Sequence, residues 1–457
     1  MTRAPLRPLA PALFVSLAPL ALAACAGNSV PSPSSTPAPQ GARAAQIPAA
    51  KSPQSKKIKH VIVIVQENRS FDNMFQGYPG ANTASSGLNS KGQTIQLQPI
   101  PLEANYTLFH VSKDFFAACD GNPPGENCKM DAFDQETAAG QNIPKNPEYG
   151  YVPASESTLY FDMAGQYVLA DDMFTSHIDA SFVSHQYIIA GQANSAVDLP
   201  LDQWGCGGTP SDTVQTLTGS RGYGPSESPC FDSPTIGSEL DAKNLTWRYY
   251  AAASSDPQSY VWSAYQAISS VYNGPEWTTN VISPPQQFLS DVAAGTLANV
   301  TWITPTCANS DHLGCQSNTG PQWVASLVNA VGESKFWKTS TIFVMWDEWG
   351  GWYDHVPPPY EDYDGLGIRV PLLMISPYAA DGYVSHVQYE HGSILRYIED
   401  TFGLPRLAAS DTRANSPGDD ASFDFKQKPR KFTPFQTQMK VQDFIKARPD
   451  PRPPDEE

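Results

Sequence analysis

A run of five β-branched residues at positions 61–65, Val-Ile-Val-Ile-Val, most constrains the fold. Because no polar residue alternates with the apolar ones, the run predicts a strand buried on both faces, as in a parallel sheet covered by helices. The polar residues that follow include Glu67, Asn68, Arg69 and Asp72. Ligands of such sheets bind beyond the carboxyl ends of the strands, so this segment is a candidate wall of an active site.

Further strand and helix patterns follow along the chain. Strands are predicted at residues 299–304, 341–346 and 369–376, which are β-rich and bounded by polar residues, Pro or Gly. Helices are predicted at residues 155–169, 286–297, 321–331 and 393–402, where apolar residues recur at helical spacing. Strands alternating with helices predict an α/β fold, a three-layer α/β/α sandwich around a mainly parallel sheet.

The two ends of the chain differ in composition from the middle. Residues 1–24 combine early arginines with an apolar stretch, which is typical of an export signal. The signal resembles that of bacterial lipoproteins, which implies lipidation at Cys25, a Pro/Ser-rich linker to residue 55, and a location in the periplasm or on the cell surface. A plain secretory signal is the alternative. Residues 56–430 are predicted to form one domain, followed by a polar, Pro-rich tail at residues 431–457.

Six cysteines remain after Cys25, and they fall into three pairs that are close in sequence. The pairs are Cys119 with Cys128, Cys206 with Cys230, and Cys307 with Cys315. An exported protein with an even cysteine count favours disulfides, and short loop closure favours these pairings. A zinc site is the alternative, but no pair has the Cys-x2-Cys spacing. Residues 81–150 and 195–245 hold four of the six and predict loop-rich insertions.

The balance of charge restricts the classes of partner. The formal net charge is −17 at pH 7, and no basic stripe stands out against it. Such a surface argues against nucleic acid or an anionic membrane as the main partner.

A second acidic cluster follows the predicted strand at residues 341–346. Asp347 and Glu348 are adjacent, and their charges repel each other. If they share a pocket with Glu67, the arrangement requires a cation or raised pKa values, and a divalent metal ion is the simplest answer. A solvated loop is the alternative for an isolated Asp-Glu pair. Gly350, with the glycine after it, allows a tight turn below this site.

A third segment contains two serines and two histidines. Ser181 and Ser184 are predicted to lie in a loop before the apolar run at residues 187–190, and either is a candidate nucleophile once a base or a metal activates it. His177 and His185 are eight residues apart, whereas a zinc-protease helix requires four. No Gly-x-Ser-x-Gly motif occurs, which argues against a hydrolase triad of that type.

Two further histidines follow apolar segments, His110 and His312. His312 comes after the predicted strand at residues 299–304. It has the chemistry to protonate a leaving group or hold a phosphoryl oxygen, and so does His110. A surface histidine without a role is equally compatible with the local sequence.

Four motifs occur in order along the chain, and together they resemble a known family. They are Glu-Asn-Arg-Ser-Phe-Asp at residues 67–72, Asp-His at 311–312, Asp-Glu-x-x-Gly-x-x-Asp-His-Val-x-Pro-Pro at 347–359, and Arg-Val-Pro-x-x-x-Ile-Ser-Pro at 369–377 with His-x-Ser-Ile-Leu-x-x-Ile-Glu at 391–399. They resemble the bacterial phosphoesterases that include non-haemolytic phospholipases C and acid phosphatases. The resemblance implies an alkaline phosphatase-like fold and hydrolysis of phosphoric esters.

The resemblance also implies roles for individual residues. One divalent metal ion would be held by four residues together with a Ser or Thr nucleophile: Glu67, Asn68, Asp347 and Glu348. Alignment on the downstream glycine places the nucleophile at Ser181, with Ser184 as second choice, and the reaction would pass through a phosphoserine. His312 and His110 would bind the phosphate or protonate the leaving oxygen, while Asn68 and His355 would contact the substrate.

The substrate class stays open at this point. The phospholipase branch carries Gly-Pro-Thr-x-Pro-Asn-Arg around its nucleophile, whereas residues 179–187 here read Asp-Ala-Ser-Phe-Val-Ser-His-Gln-Tyr. A phosphomonoester and a phospholipid are both compatible with the motifs. The aromatic residues near Asp347 would either form a cage for choline or pack over the site. A catalytically inactive, exported binding lipoprotein of the same fold is the alternative from a different functional class.

Overall fold

The apolar runs form neighbouring strands of one eight-stranded sheet. The computed structural model describes residues 52–446, 449–450 and 452, and the predicted signal and most of the linker lie outside that range. The strands of the sheet are β1 His60–Gln66, β2 Val168–Ala170, β3 Trp247–Tyr250, β4 Val281–Ile282, β5 Val300–Ile303, β6 Ser340–Trp346, β7 Leu372–Ile375 and β8 Tyr383–Ser385.

The strand order is β4-β3-β5-β1-β6-β7-β2-β8. Five of the seven pairings are parallel, and β7 runs antiparallel to both of its neighbours. The central strands β1, β5 and β6 are parallel to one another, so their carboxyl ends meet at one edge. The prediction of a mainly parallel sheet is confirmed.

Helices cover the sheet and complete the layers. The α-helices are α1 Phe71–Phe75, α2 Ser112–Cys119, α3 Thr158–Gln166, α4 Ser181–Ala190, α5 Ile236–Asp241, α6 Pro257–Tyr260, α7 Ser269–Tyr272, α8 Glu276–Thr279, α9 Gln287–Ala294, α10 Gly320–Gly332, α11 His391–Phe402, α12 Ala409–Arg413 and α13 Val441–Ile445. Helices α3 and α9 pack against α10, and helices α4 and α12 pack against α11. Because β6 is buried along its whole length, both faces of the sheet are covered, as expected for an α/β sandwich.

Two elements differ from the sequence-based expectation. The predicted helix at residues 155–169 ends with α3 at Gln166, and the next residues form β2, because pairing with β7 and β8 overrides the local pattern. The residues predicted as a loop around Ser181 instead begin α4. Every residue of α4 is buried, so the helix has no polar face that would have produced an amphipathic period.

The insertions contain short paired strands and two of the three disulfides. The pairs of strands are Ser86–Leu88 with Thr94–Gln96, Gln98–Pro99 with Gly150–Tyr151, Tyr106–Leu108 with Ala138–Gly140, and Ala196–Val197 with Gln215–Thr216. All three sequence-local cysteine pairs are disulfide-bonded. Within the described ranges, no helix is both long and apolar enough to cross a bilayer.

The segment after residue 430 packs on the domain, although its composition predicts a polar tail. Phe432, Phe435 and Phe444 are buried in the main hydrophobic core. The side chain of Asn329 donates to the backbone oxygen of Phe435 and accepts from its N–H, both at 2.9 Å. The three buried phenylalanine rings and the Asn329 hydrogen bonds therefore attach this otherwise polar segment to the layer that contains α10.

We expect Phe435→Ala to lower the free energy of unfolding by about 3–5 kcal/mol, because the change removes a buried ring and leaves a cavity. Val441 lies in the same segment and is 40% exposed. Val441→Ala is therefore the matched control, with a change of less than about 0.5 kcal/mol. Urea denaturation measures both, and equal stability of the two variants would contradict the packing described for this segment.

Candidate metal and catalytic site

Sheet register brings the two acidic motifs together. Strands β1 and β6 are parallel, and Gln66 is the partner of Trp346 in the ladder. The N–H of Asp347 donates to the oxygen of Gln66 at 2.9 Å. Glu67 and Asp347 therefore leave the sheet side by side, although 280 positions separate them in the sequence.

An unusual backbone conformation follows each strand. Asn68 has a φ of 61°, and its N–H donates to Asp347 Oδ1 at 2.8 Å. Gly350 has a φ of 64°, and a Cβ at this position would lie 2.3 Å from the backbone oxygen of Asn68. Glycine is therefore required here by both its conformation and its close approach to the other strand end. The turn at Gly350 packs against Asn68, whose N–H holds the Asp347 carboxylate.

Glu67, Asp347 and His185 form a buried group whose ligand atoms lie within 4.8 Å of one another. His185 Nε2 is 3.3 Å from Glu67 Oε2 and 3.8 Å from Asp347 Oδ2. Burial raises the pKa of the Asp347 carboxyl well above its ordinary range, and the nearby charges of Glu67 and Glu348 raise it further. Within the described residues, Asp347 Oδ2 has no hydrogen-bond partner.

These features suit a divalent cation. Two buried carboxylates at close range are unfavourable without a counter-charge. Asp347 Oδ2, which has no hydrogen-bond partner among the described residues, is the oxygen that lies near His185 Nε2. Carboxylate and imidazole donors together are compatible with several metals. The spacing of eight residues between His177 and His185 gave no indication that His185 is a metal ligand. The signal that identifies His185 is its position four residues after Ser181, on the same face of a helix.

Glu348 and Asn68 both contact His110. Glu348 Oε1 and Asn68 Nδ2 each lie 2.9 Å from His110 Nε2, while His110 Nδ1 donates to the oxygen of Leu108 at 2.6 Å. The second oxygen of Glu348 accepts from the N–H of Gly350. The structure thus brings His110, Asn68 and Glu348 together beside the predicted metal acids.

The two candidate serines have different surroundings. Ser184 Oγ donates to the backbone oxygen of Asp347 at 2.6 Å. Ser181 is fully buried at the first turn of α4, and among the described residues its Oγ has no hydrogen-bond partner. Ala180, with a φ of 51°, directs the chain into this helix. Ser181, Ser184 and His185 share one helix face because three and four residues separate them.

Hydrogen bonds with the last residue of β1 and with Arg69 fix Asp311, which precedes His312. The amide oxygen of Gln66 accepts from the N–H of Asp311 at 2.9 Å, and Arg69 Nε donates to the oxygen of Asp311 at 2.8 Å. Gly314 N–H donates to His312 Nδ1 at 3.2 Å. Since that nitrogen accepts, the neutral ring carries its proton on Nε2.

His355 lies in a separate group with Asp72 and Asp354. Its Nδ1 is 2.6 Å from Asp72 Oδ2, and its Nε2 is 3.0 Å from Asn82 Oδ1. Arg369 donates to both oxygens of Asp354, at 2.9 and 3.2 Å, and lies 3.7 Å from Asp72. The guanidinium supplies the counter-charge here, so we interpret this group as an ion-pair network. The structure does not bring His355 into the group around Glu67.

The aromatic residues near Asp347 pack in the interior. Trp346, Trp349 and Trp352 are fully buried, and Tyr353 is 4% exposed. Trp352 lies under the Arg69 guanidinium, 5.0 Å from the ring centroid. This burial favours packing over a cage for a choline group.

The comparisons with known proteins agree with the four motifs. The Phosphoesterase family model matches residues 58–405. The chain belongs to this phosphoesterase family. It is 25% identical to a non-hemolytic phospholipase C of Pseudomonas aeruginosa over 81% of this chain and 58% of the relative. It is 23% identical to phospholipase C A of Mycobacterium tuberculosis over 82% of this chain and 79% of the relative.

This phosphoesterase spans little more than half the length of the Pseudomonas relatives it matches. Among solved structures, it is similar to a protein of the alkaline phosphatase superfamily from Vibrio parahaemolyticus. The identity is 8%, the TM-score is 0.36, and the match covers 81% of this chain and 72% of that chain.

We expect metal binding to release protons and to weaken as the pH falls. The pKa of Asp347 is raised without a metal, and a ligand carboxylate must lose its proton before it binds the ion. Calorimetric titration with Mn²⁺ between pH 5 and 8, in buffers with different ionisation enthalpies, measures both effects. A pH-independent affinity would contradict the site.

Proposed function

We propose that this protein is an exported, metal-dependent phosphoric ester hydrolase that acts through a phosphoserine intermediate at Ser181. The observation that carries the proposal is the position of the Ser181 hydroxyl. It lies on the same face of α4 as His185, whose Nε2 is 3.3 Å from Glu67 Oε2, and as Ser184, whose Oγ donates to the backbone oxygen of Asp347. This shared face supports the proposal that the nucleophile and the metal-binding residues form one site. Membership of the phosphoesterase family supports the same chemistry.

In the proposed reaction, Ser181 Oγ attacks the phosphorus as the bond to the leaving oxygen breaks. The serine proton passes to a base or to solvent, and water then attacks the phosphoserine from the opposite side and releases phosphate or a phosphomonoester. The first N–H groups of α4 have no partner within the helix, so they are oriented to bind an anion beside Ser181.

Other side chains orient and protonate the substrate. His312 would protonate the leaving oxygen or bind a phosphoryl oxygen, and His110 and Asn68 provide further polar groups beside Glu348. Loss of one well-placed donor costs on the order of a hundredfold or more in turnover. Glu67, Asp347 and His185 would hold a divalent metal ion, which when bound supplies positive charge to phosphoryl and serine oxygens.

The substrate is a phosphate ester of either of two types. The relatives named phospholipase C point to a diester, and the buried tryptophans give no sign of a choline cage. A phosphomonoester is therefore retained as the other class. An inactive binding protein would turn over neither type.

Export is supported by chemistry inside the described domain. Three disulfides join cysteines that are close in sequence, and disulfides persist in oxidising compartments. We propose a periplasmic or cell-surface location with a lipid anchor at Cys25. Cys25→Ala should move the protein from the membrane fraction to the soluble one, and an unchanged distribution would contradict the anchor.

We expect the purified protein to hydrolyse p-nitrophenyl phosphate or p-nitrophenyl phosphorylcholine and to lose this activity with a chelator. Ser181→Ala should lower kcat by on the order of a thousandfold or more, because the nucleophile is lost. Acid quenching followed by peptide mass spectrometry should locate phosphate on Ser181 in the wild-type protein.

The control is Ser326→Ala, which removes a buried hydroxyl from α10. It should leave kcat unchanged. Cleavage of only one of the two substrates identifies the ester class. Absence of turnover with Mg²⁺, Ca²⁺, Mn²⁺ and Zn²⁺ would reject the hydrolase and favour the binding protein.

A further inference from the structure

Ser184 makes a contact that neither nucleophilic nor ordinary helical serine chemistry explains. Its Oγ donates to the backbone oxygen of Asp347 at 2.6 Å, and both residues are fully buried. Serine in a helix commonly bonds to a carbonyl of its own preceding turn. Here the acceptor lies 163 positions away, at the carboxyl end of β6.

Three hydrogen bonds fix Asp347, and they come from two directions. The strand side provides two of them: the N–H of Asp347 donates to Gln66, and Oδ1 accepts from the N–H of Asn68. Ser184 provides the third, from α4. With the N–H, the carbonyl and Oδ1 all engaged, the carboxylate has one orientation, and Oδ2 faces the group formed with Glu67.

The Ser184 bond also sets the position of α4 relative to the strand end. Ser181 precedes Ser184 by three residues and His185 follows it by one, so a shift of the helix at Ser184 moves both neighbours. The separation between the Ser181 hydroxyl and the carboxylates of Glu67 and Asp347 therefore depends on this contact. Precise separation matters, because misplacement by about 1 Å can cost a hundredfold in rate.

We propose that Ser184 is a positioning residue, which locks Asp347 for metal binding and holds Ser181 at the working distance from it. This inference rests on the proposed function, because it assigns Ser184 a part in that site. Ser184 is thereby removed from the list of nucleophiles, since its proton is committed to a carbonyl.

The test compares Ser184→Ala with Ser184→Thr by calorimetric titration of the metal-free protein with Mn²⁺. Changes to groups that orient a metal ligand typically cost roughly 10–100-fold in affinity, and we expect that loss for Ser184→Ala. Ser184→Thr retains the hydroxyl and should recover most of it. In steady-state assays at saturating Mn²⁺, Ser184→Ala should lower kcat while KM changes little.

Ser376→Ala is the matched control. Ser376 is equally buried, and its Oγ donates at 2.9 Å to the backbone oxygen of Ser340, at the opposite end of β6. The two variants lose the same kind of hydrogen bond from the same strand. A general loss of stability would affect both, whereas the proposal requires that only Ser184→Ala weaken Mn²⁺ binding.

Several results would overturn the proposal. An Mn²⁺ affinity of Ser184→Ala equal to that of the wild type would do so, as would phosphate trapped on Ser184 or a wild-type protein that binds no divalent ion. If Ser184→Ala does not fold, Ser184→Cys keeps a side chain of similar size with a weaker donor, and it should show the same loss. Turnover that persists in Ser181→Ala rejects the proposed nucleophile, and the Mn²⁺ titrations still report on Ser184 separately.

Discussion

The structure depends on the placement of buried carboxylates at the carboxyl edge of two adjacent parallel strands. Glu67 and Asp347 leave β1 and β6 at equivalent positions of the ladder, so their negative charges are held together in an interior that cannot solvate them. Folding such a pair is costly without a cation or a proton, which explains the raised pKa of Asp347.

Two acidic clusters in this protein differ in how their buried negative charge is balanced. Arg369 donates to Asp354 and lies 3.7 Å from Asp72, so its guanidinium supplies a fixed positive charge between these two carboxylates. At Asp347 the described partners are His185 and the backbone N–H of Asn68, and one carboxylate oxygen has no hydrogen-bond partner among the described residues. The first arrangement stabilises the fold, whereas the second is suited to an exchangeable ion.

The proposed catalytic groups come from segments that have little in common in sequence. Helix α4 brings Ser181 and His185, the loop after β5 brings His312, and the insertion around α2 brings His110. Each is attached to the strand ends by hydrogen bonds, such as those of Gln66 and Arg69 to Asp311. The sheet therefore positions side chains that come from distant segments of the chain.

The local sequence determined four strands of the sheet, β1, β5, β6 and β7, and four of the helices, α3, α9, α10 and α11. It also indicated the three disulfide pairs and the acids after β1 and β6, because β-branched runs, apolar periods and short cysteine spacings act over few residues. Only the tertiary structure decided that α4 is a helix, since its burial on all sides removes the amphipathic signal. It also decided that His185 joins Glu67 and Asp347, that His355 belongs with Arg369, and that Phe432 and Phe435 attach the last segment to the core. These assignments depend on contacts between distant residues, and such contacts follow from the register of the sheet, which no short stretch of sequence specifies.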